Sequence, residues 1–210
     1  EGAGAVVVSV AYPLTPFPQP VDTGYGVLQW VHRHRTKLGG QGALVYLAGE
    51  EAGGNLAAAV ALMARDQAHP PLAGQILLSP MLDPCVGSAS QRRTTGDAVD
   101  CKWVQGWRNF LRCPRDAEHP YAVPASAHRL AGLPPTLVLV GDTDPMRDEA
   151  LAYAARLHAA GLQVTQHVFA KAEKWPEPLL ETGPHECPCA GAVQEEFRRF
   201  FEATRCRESS

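Results

Sequence analysis

Glu50 and Glu51 stand side by side where one apolar run, Ala43-Leu44-Val45-Tyr46-Leu47-Ala48, gives way to an alanine-rich one, Ala52 to Arg65. The first run has the length and character of a strand and the second the composition of a helix, so Gly49-Glu50-Glu51 falls on the turn between them. The central residue of such a turn sits on strained backbone, and Gly49 and Gly53 flank it because a Cβ there would meet neighbouring main chain. The following helix aims its first amides and the positive end of its dipole at the same spot. Carboxylates placed there have three uses. They stabilise the helix start and do nothing more. They form an acid–base pair, since clustered carboxylates push one pKa upward. Or one of them attacks as a nucleophile. A second group of reactive types is His185 with Cys187-Pro188-Cys189. One C-x-C and a single histidine lack the second paired set of a zinc site, so no metal and no cofactor are expected.

The elements that must hold these residues alternate along the chain. Ala5 to Ala11 is β-branched and apolar, the pattern of a strand buried on both faces. A proline-rich turn follows, then a helix over Val21 to Leu38 stopped by Gly39-Gly40. After the Ala43–Ala48 strand and the Ala52–Arg65 helix come strands at Gln75–Leu78, Thr136–Val140 and Gln163–Phe169. Helices are expected over Glu149–Ala160 and Ala192–Thr204, with Val193, Phe197, Phe200 and Phe201 as the apolar side of the last. Strands alternating with helices predict an α/β fold, a mostly parallel sheet with helices on both faces. Residues 1–210 are read as a single domain with an insertion at about 84–130, where Trp103 and Trp107, at i and i+4, pack together in a helix. Residues 171–191 form a long loop, functional or mobile.

Composition narrows the options. Of 210 residues, 45% are apolar and 20% charged, as in an ordinary globular protein, and the net charge of −3 argues against a nucleic-acid partner. The basic stretch from His32 to Lys37 is explained by the end of a helix. No apolar run approaches the length of a membrane span, and no leader pattern opens the chain, so a cytoplasmic protein is expected. Six cysteines, Cys85, Cys101, Cys113, Cys187, Cys189 and Cys206, permit disulfides without requiring them.

Several blocks together resemble one family. Gly49-x-x-Ala52-Gly53-Gly54-Asn55-Leu56 is similar to the Gly-Asp-Ser-Ala-Gly-Gly-Asn block of the hormone-sensitive-lipase-like esterases, a branch of the α/β hydrolases. Tyr12-Pro13-Leu14-Thr15-Pro16 resembles that family's Tyr-Arg-Leu-Ala-Pro. Leu133-Pro134-Pro135-Thr136 and Asp144-Pro145-Met146-Arg147-Asp148-Glu149 match two further blocks, and the likeness runs from about residue 3 to residue 175. The resemblance implies an α/β-hydrolase-like sheet, truncated at the N-terminus, because the family's His-Gly-Gly-Gly oxyanion turn and the strand before it have no counterpart in this sequence. It implies a triad at Glu51, Asp144 and Lys174, with the family's serine replaced by Glu51, its neighbouring aspartate by Glu50 and its histidine by Lys174; Glu173 is the next candidate for the last position. Glu50, Ala52 and His185 are the implied ligand-binding residues, His185 reaching the site only by an unusual path.

A glutamate cannot do the work of the serine, which needs a hydroxyl deprotonated by imidazole. The expectation is therefore a non-hydrolytic relative, a ligand-binding protein or complex subunit, with a Glu51–Lys174 ion pair. Its partners would be a small acyl or ester-like ligand, and a protein partner or second copy completing the sheet. The alternatives are a hydrolase or lyase-type enzyme using Glu51 with Asp144 or Lys174, and a residual carboxylesterase. Bland roles stand beside these: Asp144 as a turn residue, Asp148 and Glu149 as a first helical turn, Ser79 as a buried strand-end hydroxyl, and Tyr12 packing behind the turn.

Overall fold

A computed structural model of the chain describes residues 4–84, 88–95, 102–171, 175 and 188–205. The elements are α1 (Gln19–Gly39), β1 (Tyr46–Glu50), α2 (Ala52–Asp66), β2 (Gly74–Leu78), α3 (Ala89–Thr95), α4 (Lys102–Phe110), β3 (Thr136–Gly141), α5 (Arg147–Ala159), β4 (Val164–Phe169) and α6 (Ala190–Arg205). Two short 3-10 turns, Pro114–Glu118 and Pro124–Ser126, lie between α4 and β3.

The strands form one parallel sheet in the order β1-β2-β3-β4, with Gly49 opposite Leu77, Leu78 opposite Leu139 and Gly141 opposite Phe169. Parallel strands covered on both faces read as continuous apolar runs, which is why β3, Thr-Leu-Val-Leu-Val-Gly, is buried throughout. Side chains still alternate. Ile76, Leu137 and Leu139 pack with Phe200 of α6 on one face, whereas Leu77 packs with Leu62 of α2 and Tyr153 of α5 on the other. Against α2 lies α1, closely enough that a Cβ on Gly24 would stand 3.0 Å from Val60 Cγ2. No helix among the described residues is long and apolar enough to cross a membrane.

One expected strand is corrected. Residues 5–11 form no ladder with any strand among the described residues, and Val6 and Val7 are 61% and 84% exposed. β-Branched composition favours the extended backbone, yet a strand exists only where a neighbour accepts its hydrogen bonds. β1 is the edge of the sheet among the described residues, and the two runs do not pair directly. Boundaries also move. β1 starts three residues later than Ala43 and runs through Gly49-Glu50, so the turn is concentrated on Glu51 alone.

Candidate functional site

Glu51 joins the end of β1 to α2 at φ 46°, ψ −116°, a conformation that L-residues seldom hold. Hydrogen bonds fix it from both sides: its N–H donates to Leu78 O at 3.1 Å, and its carbonyl accepts from Asn55 N and Met81 N, both at 3.1 Å. Gly49 and Gly54 make the bend possible by close approach, whereas Gly53, expected to be crowded by main chain, has open space where a Cβ would lie. A Cβ on Gly49 would lie 2.0 Å from Gly53 O, and one on Gly54 2.8 Å from Pro80 Cβ. Asn55, buried one turn into α2, donates through Nδ2 to Met81 O (2.9 Å) and Ala122 O (3.2 Å), tying the turn to the segment after β2.

Asp144 lies in the turn after β3 and is almost wholly buried. Its Oδ1 accepts Met146 N–H at 2.8 Å; its Oδ2 accepts the Ser79 hydroxyl at 2.5 Å and the Trp175 indole N–H at 3.0 Å. Burial pushes its carboxyl above the usual aspartate range and the Glu51 charge adds to the rise, while the three donors pull the other way. Ser79 is the buried hydroxyl expected at the end of β2, held at φ 40°. Arg147, Asp148 and Glu149 form the first turn of α5, as anticipated.

The expected Glu51–Lys174 pair, like Glu173, His185 and Cys187, lies outside the described residues. The cation found at Glu51 is Lys102, the first residue of α4, with Nζ 3.4 Å from Oε1 and 5.0 Å from the centre of the Trp103 ring. Glu50 carries a carboxyl raised above its ordinary value, first by desolvation, then by the charges of Glu51 and Asp144, with Lys102 opposing. Its side chain still reaches solvent, which screens these charges and keeps their energetic effect small. Among the described residues no cluster of three metal-ligating side chains occurs, and Cys189 is disulfide-bonded.

Beside the turn opens a cavity of about 330 Å³. Glu51, Ala52, Asn55 and Leu56 form its floor, Tyr12 to Thr15 one wall, and Lys102, Trp103, Trp107 and Phe110 the other. Trp103 and Trp107 do pack together in a buried cluster, and the same rings line the cavity; Tyr12 faces it rather than standing behind the turn.

Two contributors were not legible in the sequence. Lys102 belongs to a segment with no motif. Trp175 stands in the long loop next to the position mapped to the histidine, and its only local signal is Gly141: a Cβ there would lie 2.6 Å from Trp175 Cδ1, so the strand end is kept bare for the indole.

The comparisons with known proteins agree with this fold. A family model described as the alpha/beta hydrolase fold matches residues 1–173. Carboxylesterase NlhH of Mycobacterium tuberculosis is 35% identical over 175 residues, covering 78% of this chain and 54% of its own length. Gibberellin receptor GID1C of Arabidopsis thaliana is 37% identical over 175 residues, covering 77% and 50%. A thermostable esterase from Pseudomonas putida superposes with a TM-score of 0.79 at 31% identity, over 95% of this chain and 64% of that one. The chain thus spans about half the length of the curated relatives it matches. On fold, turn geometry and sequence together, the chain belongs to the α/β-hydrolase fold family.

Proposed function

We propose that this chain is a non-hydrolytic, ligand-binding member of the family. The observation that carries the reading is the carboxylate of Glu51 on the strained turn, at the floor of an apolar cavity. An ionised carboxylate is an acceptor only, with no hydroxyl proton for a base to remove, so Glu51 cannot act as the serine does. Asp144 supports the same reading. Both its oxygens are occupied by Met146, Ser79 and Trp175, which leaves little capacity for orienting an imidazole. Relatives named as a carboxylesterase and as a gibberellin receptor place hydrolysis and ligand binding on the same fold. The edge position of β1 among the described residues, and the exposed Val6 and Val7, favour a protein partner or second copy as well.

A second reading draws on Glu50, whose raised carboxyl beside Glu51 has the character of an acid–base pair. One experiment separates the two. Turnover of short p-nitrophenyl esters is measured for the protein, for Glu51→Gln and for Glu51→Ser. The binding reading expects no turnover above the solvent rate in any of them, with saturable binding of small apolar molecules. Turnover by the protein that vanishes in Glu51→Gln establishes the enzymatic reading instead.

A further inference from the structure

We propose that the cavity beside Glu51 takes a small apolar molecule carrying a secondary amide, and takes it in preference to the isosteric ester. The inference rests on the ligand-binding reading and names its ligand class.

The walls set the apolar part. Trp103, Trp107, Phe110, Leu56 and Met81 surround a space of about 330 Å³, room for one ring with a short polar extension. The polar part follows from three lining residues whose buried polar atoms have no hydrogen-bond partner among the described residues: Thr15 Oγ1, Asn55 Oδ1 and Trp103 Nε1. Asn55 is 4% exposed and Trp103 is 2% exposed, so both atoms are costly to leave unmatched. Their types are informative. The amide nitrogen of Asn55 is committed to Met81 O and Ala122 O, so its remaining capacity is that of an acceptor. The Glu51 carboxylate beside it is also an acceptor only, and indole nitrogen is a donor only. The cavity therefore asks for one N–H at its Asn55–Glu51 end and one carbonyl oxygen within reach of Trp103.

A secondary amide supplies both. An ester supplies only acceptors, leaving Asn55 unmatched and setting its oxygen lone pairs against Glu51. A carboxylate adds a like charge to Glu50, Glu51 and Asp144, which already act on one another. An amine offers donors but nothing for Trp103, and competes with Lys102, which already occupies the Glu51 carboxylate at 3.4 Å. Sites built to hydrogen-bond an N–H discriminate strongly against analogues that lack it.

The test is calorimetric titration of the protein with N-benzylacetamide, benzyl acetate and N-benzylethylamine. The amide is expected to bind roughly tenfold or more tightly than either of the others. Glu51→Gln, whose amide group can donate, is expected to bring the ester to within about twofold of the amide. Trp103→Phe is expected to weaken amide and ester alike and leave their ratio unchanged, since both carry a carbonyl. Circular dichroism verifies that each variant is folded, and the three-ligand comparison on the unaltered protein decides the matter without them. Equal binding of amide and ester without turnover overturns the ligand class and leaves the binding reading standing. Tightest binding of the amine also overturns it. Hydrolysis of benzyl acetate by the protein overturns the non-hydrolytic reading, and absence of binding by all three overturns the ligand assignment together with the binding role.

Discussion

The indole Nε1 of Trp175 lies 3.0 Å from Oδ2 of Asp144, the oxygen that also takes the Ser79 hydroxyl at 2.5 Å. Trp175 therefore stands where the Asp144 carboxylate would otherwise present a free acceptor. The ring is held by stacking on Phe169, centroids 4.7 Å apart and planes within 22°, and by the bare Cα of Gly141. Buried carboxylates need such donors, because desolvation alone disfavours the charged form.

Trp175→Phe keeps the stacking ring and removes the donor. The expected loss of stability at neutral pH is about 1–2 kcal/mol, the cost of taking one partner from a buried charged acceptor. Urea unfolding followed by circular dichroism measures it. A change indistinguishable from zero shows that the indole merely fills space.

The turn makes opposite predictions for substitution at two of its positions, Gly49 and Glu51. Gly49→Ala places a methyl 2.0 Å from Gly53 O, a backbone atom that cannot move without unwinding the start of α2. Loss of more than about 3 kcal/mol is expected, enough to prevent folding of a marginal domain. Glu51→Gly relieves a conformation that costs a non-glycine residue of order 1–3 kcal/mol. It also gives up a half-exposed ion pair with Lys102, worth about 0–1 kcal/mol. A net gain of about 1 kcal/mol is expected once glycine's extra unfolded-state entropy is included. A loss instead would mean that Glu51 does more for the fold than its pairing accounts for.

How far the sequence carries this picture differs from element to element. The parallel sheet was legible because β2 and β3 are predominantly apolar runs alternating with helices. Gly49 was legible because only the absence of a Cβ permits its contact with Gly53 O, whereas Gly53, expected to be needed for the same reason, has open space there and the close approach falls on Gly54 instead. Residues 5–11 misled because composition reports backbone preference and says nothing about whether a neighbouring strand is there to pair. Lys102 and Trp175 were illegible for a related reason. Each reaches the site from a segment without periodicity, and the contact is made by tertiary folding over 51 and 31 residues of sequence separation. The site was therefore readable where backbone geometry dictates residue type, and unreadable where a side chain arrives from elsewhere.

Val7, 84% exposed in a run without strand pairing among the described residues, is a position where a charge should disturb the fold little. Val7→Lys is expected to leave the thermal midpoint within about 1 °C, as surface substitutions usually do. It is also expected to lower concentration-dependent self-association, since a lysine on an exposed β-prone run blocks strand addition. Sedimentation of both proteins at matched concentrations reads the difference. Unchanged association places any self-contact on another face.

Glu149 supplies the pH dependence. Burial at the start of α5 pushes its carboxyl up to about 8, although Oε2 accepts N–H groups from Leu82 (3.2 Å) and Asp83 (2.9 Å). The neighbouring charges of Asp83 and Asp144 raise it further. The unfolded chain releases this proton near pH 4.5 and the folded one near 8. Between those values the folded state holds a proton that the unfolded state lacks, so stability falls as pH rises through the window and levels off above it. Glu149→Gln keeps the shape and an oxygen acceptor but never ionises. Its advantage over the unaltered protein is expected to be small near pH 5 and to grow to on the order of 2–4 kcal/mol near pH 8. Thermal unfolding at the two pH values tests this, and an advantage that stays constant or shrinks with rising pH shows that Glu149 ionises in the folded protein as freely as in the unfolded one.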